Sequence, residues 1–259
     1  NSLYADSIVL LAGSSSVKYG LSCSILNELS DNNIKYVNIA NDARDPIQTY
    51  FILKNMYLNR VSTIYYGLDP WIFTKKYYKF RPDYIYLDFS FFEILRYTNE
   101  LDKSASLKRH KSFLKFIFPE NNNIIKNDDC SIPPDFGSAT LEKKAKNFDQ
   151  PINEVFQTEK YGWSDLQFIY LKKILVLCRE RKIKFAVFIP PKRSDFTRIY
   201  MQKCGPAHRE YIHKLTNIGL SVPIFGRFDQ LEDIGDSVYF VDGYHLNALG
   251  QKKYSGIFY

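Results

Sequence analysis

Near the C-terminus, Asp242-Gly243-Tyr244-His245-Leu246-Asn247-Ala248-Leu249-Gly250 places a carboxylate three residues before an imidazole. Far upstream, Gly13-Ser14-Ser15-Ser16 offers serines directly after an apolar run. Nucleophilic acyl chemistry needs these residue types. A serine hydroxyl is a weak nucleophile at neutral pH unless an imidazole takes its proton. The imidazole in turn needs a carboxylate to fix its tautomer and stabilise its charged form. The Asp-x-x-His spacing supplies the last two from one turn of backbone.

A strand-to-helix turn must position the serine. Residues 8–12 are a continuous apolar run, as in a strand buried on both faces of a parallel sheet, and Gly13 with three serines breaks it. Polar residues at the C-terminal edge of such a sheet sit where open α/β folds bind ligands. Taken alone, Ser14 to Ser16 also read as caps of the helix that follows, since serine is a favoured N-cap. The distal Asp/His pair tips the balance toward catalysis. Two further segments belong to the pattern: Tyr36-Val37-Asn38-Ile39-Ala40-Asn41-Asp42-Ala43-Arg44 after the second strand, and Thr63-Ile64-Tyr65-Tyr66-Gly67-Leu68-Asp69-Pro70-Trp71 in and after the third.

These blocks, in this order, resemble the SGNH (GDSL-like) hydrolase superfamily. More narrowly they resemble its cell-envelope branch, which includes alginate O-acetyltransferase-like proteins and the D-alanyl transfer protein of teichoic acid synthesis. The resemblance covers residues 7–75 and 184–259. In that branch the first block reads Gly-Ser-Ser with the nucleophile third, which maps to Ser15, with Ser16 as the fallback. The second block ends on a glycine whose N–H enters the oxyanion hole. Ala43 stands there, and only a backbone N–H is required if its φ is negative. The third block is usually Gly-x-Asn-Asp, and Asp69 takes the place of the donating Asn. An ionised aspartate cannot donate, so Asp69 joins the oxyanion hole by position only and the second donor is left open. The fourth block maps Asp242 as the orienting carboxylate and His245 as the general base, between an aromatic-rich strand at 238–241 and a final helix.

The resemblance implies an α/β fold: a three-layer α/β/α sandwich around a flavodoxin-like parallel sheet of order 2-1-3-4-5. It also implies a serine-dependent esterase or O-acyltransferase that works through an acyl-enzyme on acyl esters, O-acetyl foremost, of a cell-surface carbohydrate. No cofactor and no metal are expected. The expected partners are the glycan and a membrane-embedded acyl donor, not nucleic acid, and the expected location is extracytoplasmic, at the periplasm or cell surface. The alternative is a non-catalytic glycan-binding or assembly factor that retains the fold, for which Ala43 and Asp69 speak.

The rest of the chain agrees with one such domain. Its 259 residues, 45% hydrophobic, suffice for a substantial core. No apolar run approaches the ~18 residues of a membrane span. The chain starts at Asn1 without methionine, which reads as a segment whose leader or anchor has been removed. A net charge of +7 suits an anionic partner, but the basic residues are scattered, no nucleic-acid motif accompanies them, and they read as solvated helix faces. The cysteines lack Cys-x-x-Cys spacing, which argues against zinc. Cys23 and Cys178 read as core residues, while Cys130 and Cys204 sit in polar surroundings where they could pair.

Strand-like runs at 8–12, 35–39, 62–67, 184–189 and 222–225 alternate with helical spacing at 17–29, 46–58, 163–181, 206–218 and 247–258. Ser164 is the expected cap of the clearest helix. The polar interval 101–161 breaks this rhythm and reads either as a cap-like insertion shaping the cleft or as partly disordered chain. Trp71 could stack on a sugar, and Lys192 and Arg193, directly after the fourth strand, could meet an anionic substrate; core packing and a solvated loop are the plainer readings. His110, His208 and His213 lack a carboxylate at matching spacing and read as surface residues.

Overall fold

The structure, a computed structural model, describes residues 7–31, 33–75, 90, 93, 139–141, 162–220 and 236–259. Four strands form one parallel sheet: β1 (Ser7–Ala12), β2 (Ile34–Asn38), β3 (Val61–Gly67) and β4 (Lys184–Phe188), in the order β2-β1-β3-β4. Parallel neighbours need long crossovers. Two short helices, α1 (Ser15–Lys18) and α2 (Cys23–Leu29), follow β1; α3 (Pro46–Asn55) follows β2; and α4 (Asp165–Glu180) precedes β4. The helices α5 (Ser194–Asn217) and α6 (Ala248–Phe258) follow β4. Because every strand runs the same way, the loops after all four open at one edge.

The strand alternation divides the core in two. Leu10, Ala12, Ile64, Tyr66 and Val187 face one side, against Leu53 of α3, Leu171 and Ile174 of α4, and Phe196 and Tyr200 of α5. Val9, Leu11 and Phe188 face the other, against Val17, Leu26 of α2, and Tyr254 and Phe258 of α6. Burying each such side chain contributes about 1.5–3 kcal/mol, so both faces of the sheet are anchored independently. Local signals fix the helix starts: Ser164 caps α4 by accepting from the Gln167 N–H, Asp45 caps α3 through Gln48, and Asn247 caps α6 through Gly250.

Several expectations from the sequence need correction. The sheet has four strands among the described residues where five were expected, and the segment assigned to the fifth, 222–225, lies outside them. The helix expected over 17–29 is broken: α1 ends at Lys18, Ser22 starts α2 afresh as its cap, and Gly20 between them sits where a Cβ would come within 2.2 Å of the Ser16 carbonyl. Pro206 does not open a helix but lies inside α5, which begins twelve residues earlier at Ser194. Its missing N–H is outweighed by the stripe Phe196, Tyr200, Cys204, Tyr211 and Leu215, spaced at turns of the helix on the core side. The strand expected at 238–241 is a 3₁₀ turn, Ser237–Tyr239, followed by one bridge between Phe240 and Leu246.

Cys204 is 1% exposed within the α5 stripe and not in polar surroundings, and Cys130 lies outside the described residues. His208 is half-buried against Tyr200 and Tyr211, with its Nδ1 3.2 Å from the Tyr200 hydroxyl, and burial lowers its pKa. His213 is exposed as expected, and His110 lies outside the described residues. So does the 101–161 insertion, apart from 139–141.

Candidate active site

The turn after β1 is built to present one serine. Gly13 has φ +139°, and a Cβ there would meet Val17 at 2.8 Å and the Gly67 carbonyl at 3.0 Å, so a side chain is excluded twice over. Ser14 caps α1 and is buried, Ser16 is buried, and Ser15 between them is partly exposed at the open edge of the sheet. Its N–H, the first of α1, has no carbonyl four residues back within the helix.

The loop before α6 brings the acid and base to that serine. Asp242 Oδ1 accepts from the N–H groups of Tyr244 and His245, both at 2.8 Å, which closes a tight turn around Gly243. Asp242 Oδ2 lies 2.7 Å from His245 Nδ1, and His245 Nε2 lies 2.8 Å from Ser15 Oγ. A carboxylate can only accept, so Nδ1 carries the ring proton and the Nε2 lone pair faces the serine hydroxyl. Burial pushes the Asp242 carboxyl up, but the hydrogen bond and charge of His245 with the two backbone N–H groups outweigh it and hold it below its ordinary value. The turn is held from outside by the Arg193 N–H, which donates to the Gly243 carbonyl at 3.1 Å, and by the Val241 N–H on the His245 carbonyl at 3.0 Å.

The loop after β2 abuts the same turn. The Asn41 N–H donates to the Gly13 carbonyl at 3.2 Å, and Lys18 Nζ reaches Asn41 Oδ1 at 3.0 Å and Asp42 Oδ2 at 3.2 Å. Ala43 has φ +50°, not the negative φ expected of an alanine. That is the left-handed conformation a glycine would adopt without strain, at the position where the resemblance asks for glycine. Tyr19, which the sequence did not single out, stands edge-on to the His245 ring at 5.6 Å, with its hydroxyl 3.3 Å from Asp42 Oδ2. Burial first, then the charge of Asp42, raises its pKa.

Beneath the turn lies a buried charge pair. Asp69 and Lys192 both have fully buried side chains, with Lys192 Nζ 2.8 Å from Asp69 Oδ1 and 3.0 Å from Ser16 Oγ. The Ser14 hydroxyl donates to Asp69 Oδ2. Burial lowers the Lys192 pKa, against the opposing charges of Asp69 and Asp242. Ser16 Oγ thus faces inward to Lys192, while Ser15 Oγ faces His245. Asp69 accepts at both oxygens and donates nothing, in keeping with its chemistry. Lys192 is no solvated loop residue, and its ammonium lies 4.8 Å from the centre of the Trp71 ring. Trp71 is 4% exposed and packed by Phe196 and Tyr244, which leaves it no free face for a sugar. Arg193 is buried and paired with Asp195.

One signal for the Asp69–Lys192 pair was present in the sequence. Asp69 departs from the expected Asn by one negative charge, and a cation follows β4 at the same edge. Among the described residues, no group of three or more His, Cys, Asp or Glu side chains could hold a metal ion, and no helix is long and apolar enough to cross a membrane. No protein-family model matches the chain, and no curated protein matches it.

Proposed function

We propose that this protein is a serine-dependent esterase or O-acyltransferase of the SGNH type, and the observation that carries the proposal is the chain of hydrogen bonds from Asp242 through His245 to Ser15 Oγ. Ser15 Oγ attacks the acyl carbonyl as His245 Nε2 takes its proton, and Asp242 holds the ring in the productive tautomer and stabilises the imidazolium. The N–H groups of Ser15 and Ala43 are the donors for the oxyanion. As the tetrahedral intermediate collapses, His245 returns the proton to the leaving alcohol and an acyl-Ser15 ester remains. Water or a sugar hydroxyl, deprotonated by His245, then attacks that ester and frees Ser15. The substrate class is an acyl ester, O-acetyl foremost, of a cell-surface carbohydrate. The setting is extracytoplasmic, with a membrane-embedded partner as acyl donor for the transferase.

The same reading extends the sheet to a flavodoxin-like, three-layer fold of order 2-1-3-4-5. The observed β2-β1-β3-β4 order and helices on both faces support it. Of the expected insertion, the described Ala139 N–H donates to the Lys18 carbonyl at 3.2 Å, and Thr140 meets Gln251 of α6 at 2.9 Å.

One observation favours a non-catalytic, glycan-binding role: Asp69, which accepts at both oxygens, supplies no side-chain donor to an oxyanion. The two readings separate with 4-nitrophenyl acetate as acyl donor. The enzyme reading expects an acetyl adduct on Ser15, absent in Ser15→Ala, that acceptor oligosaccharide or water discharges. Equal turnover by wild type and Ser15→Ala would refute it.

A further inference from the structure

The proton relay leaves two buried charges at the catalytic edge without a task. Asp69 and Lys192 come from the loops after β3 and β4, and both side chains are 0% exposed. A buried ion pair is a poor source of stability, since neutral groups of similar volume often serve as well or better. What distinguishes this pair is whom it touches. Lys192 Nζ holds Ser16 Oγ at 3.0 Å, and Asp69 Oδ2 takes the hydroxyl of Ser14. The residues immediately before and after Ser15 are therefore fixed by the two ends of one ion pair. The Ser14 carbonyl in turn accepts the N–H groups of Val17 and Lys18, both at 3.1 Å, so the pair is tied into the first turn of α1.

We infer that Asp69 and Lys192 are positioning residues for Ser15, acting through Ser14 and Ser16 to hold the Ser15 hydroxyl on the line to His245 and its N–H toward the oxyanion. In this arrangement Asp69 does not donate to the oxyanion; it orients a backbone N–H that does. The ammonium of Lys192 is occupied by Asp69, Ser16 and the Trp71 ring, so its task is structural alignment and not substrate contact. The inference rests on Ser15 being the nucleophile. Misplacement of a reacting group by about 1 Å can cost about 10²-fold in rate, which sets the size of the effect.

The test measures labelling of Ser15 by a fluorophosphonate in wild type, in Ser16→Ala, and in the neutral double variant Asp69→Asn with Lys192→Met. Melting temperature and the saturation curve are recorded for each. Ser16→Ala, which deletes only the hydroxyl that Lys192 holds, is expected to stay folded with a melting temperature lowered by the loss of one buried hydrogen bond, and to keep its reagent affinity while its limiting labelling rate falls about tenfold. The double variant, folded, is expected to fall about 10²-fold. Wild-type limiting rates in folded variants would overturn the inference and leave the serine nucleophile standing. If the double variant does not fold, Ser16→Ala decides alone. An unlabelled wild type would overturn the nucleophile and this inference with it.

Discussion

Replacing Asp242 by Asn should disable His245 without unfolding the turn, and the structure gives the size of the effect. Both carboxylate oxygens accept: Oδ1 from two backbone N–H groups, Oδ2 from His245 Nδ1. An amide has one acceptor oxygen, and the two backbone donors hold it in place. The amide nitrogen then faces Nδ1 and donates to it, so the ring proton moves to Nε2 and the lone pair that receives the Ser15 proton is lost. Returning to the productive tautomer sets N–H against N–H. It forfeits a charge-assisted hydrogen bond of about 1.5–3 kcal/mol and strands a partly buried donor at about 1–3 kcal/mol. At about 1.4 kcal/mol per decade, this predicts labelling slower by two to four orders of magnitude. The assay is the fluorophosphonate labelling rate with a melting curve beside it, and the melting temperature should change little because the Oδ1 bonds survive. Asp242→Asn labelled within threefold of wild type would refute the tautomer argument.

Other outcomes follow from particular residues. Asp45 is buried at the α3 N-cap, where burial, offset in part by backbone hydrogen bonds, raises its pKa from 3.8 to about 6. A carboxyl raised in the folded state contributes stability that is fully present below the unfolded value and is lost as pH rises through about 6. That loss is about 3 kcal/mol. Asp45→Asn keeps a capping oxygen, so urea titrations should show a flatter dependence between about pH 4 and 7 and a variant more stable than wild type at pH 8. Ala43→Gly removes the strain of φ +50° and keeps the backbone N–H, so stability should hold or rise by up to about 1 kcal/mol, with labelling retained. Gly243→Ala places a Cβ 2.3 Å from the Phe196 ring, and calorimetry should show a loss of about 1–3 kcal/mol together with slower labelling as the Asp/His turn is displaced.

The elements that place the site were legible where the chain's periodicities are strong. The apolar run of β1, its glycine break and the Asp-x-x-His spacing are local signals. The serine turn lies at the edge where the parallel strands gather their loops, and the Asp/His turn is joined to that edge through the Arg193 N–H on the Gly243 carbonyl. The resemblance put the nucleophile at Ser15 with Ser16 as the fallback, and what the sequence did not carry is which way a four-residue helix turns each of them: Ser15 Oγ toward His245 and Ser16 Oγ toward Lys192. The start of α5 was misread because Pro206 is a strong local signal, whereas the buried stripe running through it shows only when residues 194–217 are taken together. Burial of Lys192 was hidden for a related reason. A lysine after a strand is usually solvated, and its partner Asp69 lies 123 residues away. Only the sheet order, with β3 beside β4, brings the two together.

The central claim is that His245 activates Ser15, and the most direct measurement is covalent labelling by a fluorophosphonate, read by intact mass and peptide mapping, on wild type, Ser15→Ala and His245→Ala. The account predicts a single adduct on Ser15 in the wild type and none in either variant, with all three folded. A folded wild-type protein that takes up no label, or one labelled equally after loss of His245, would contradict it.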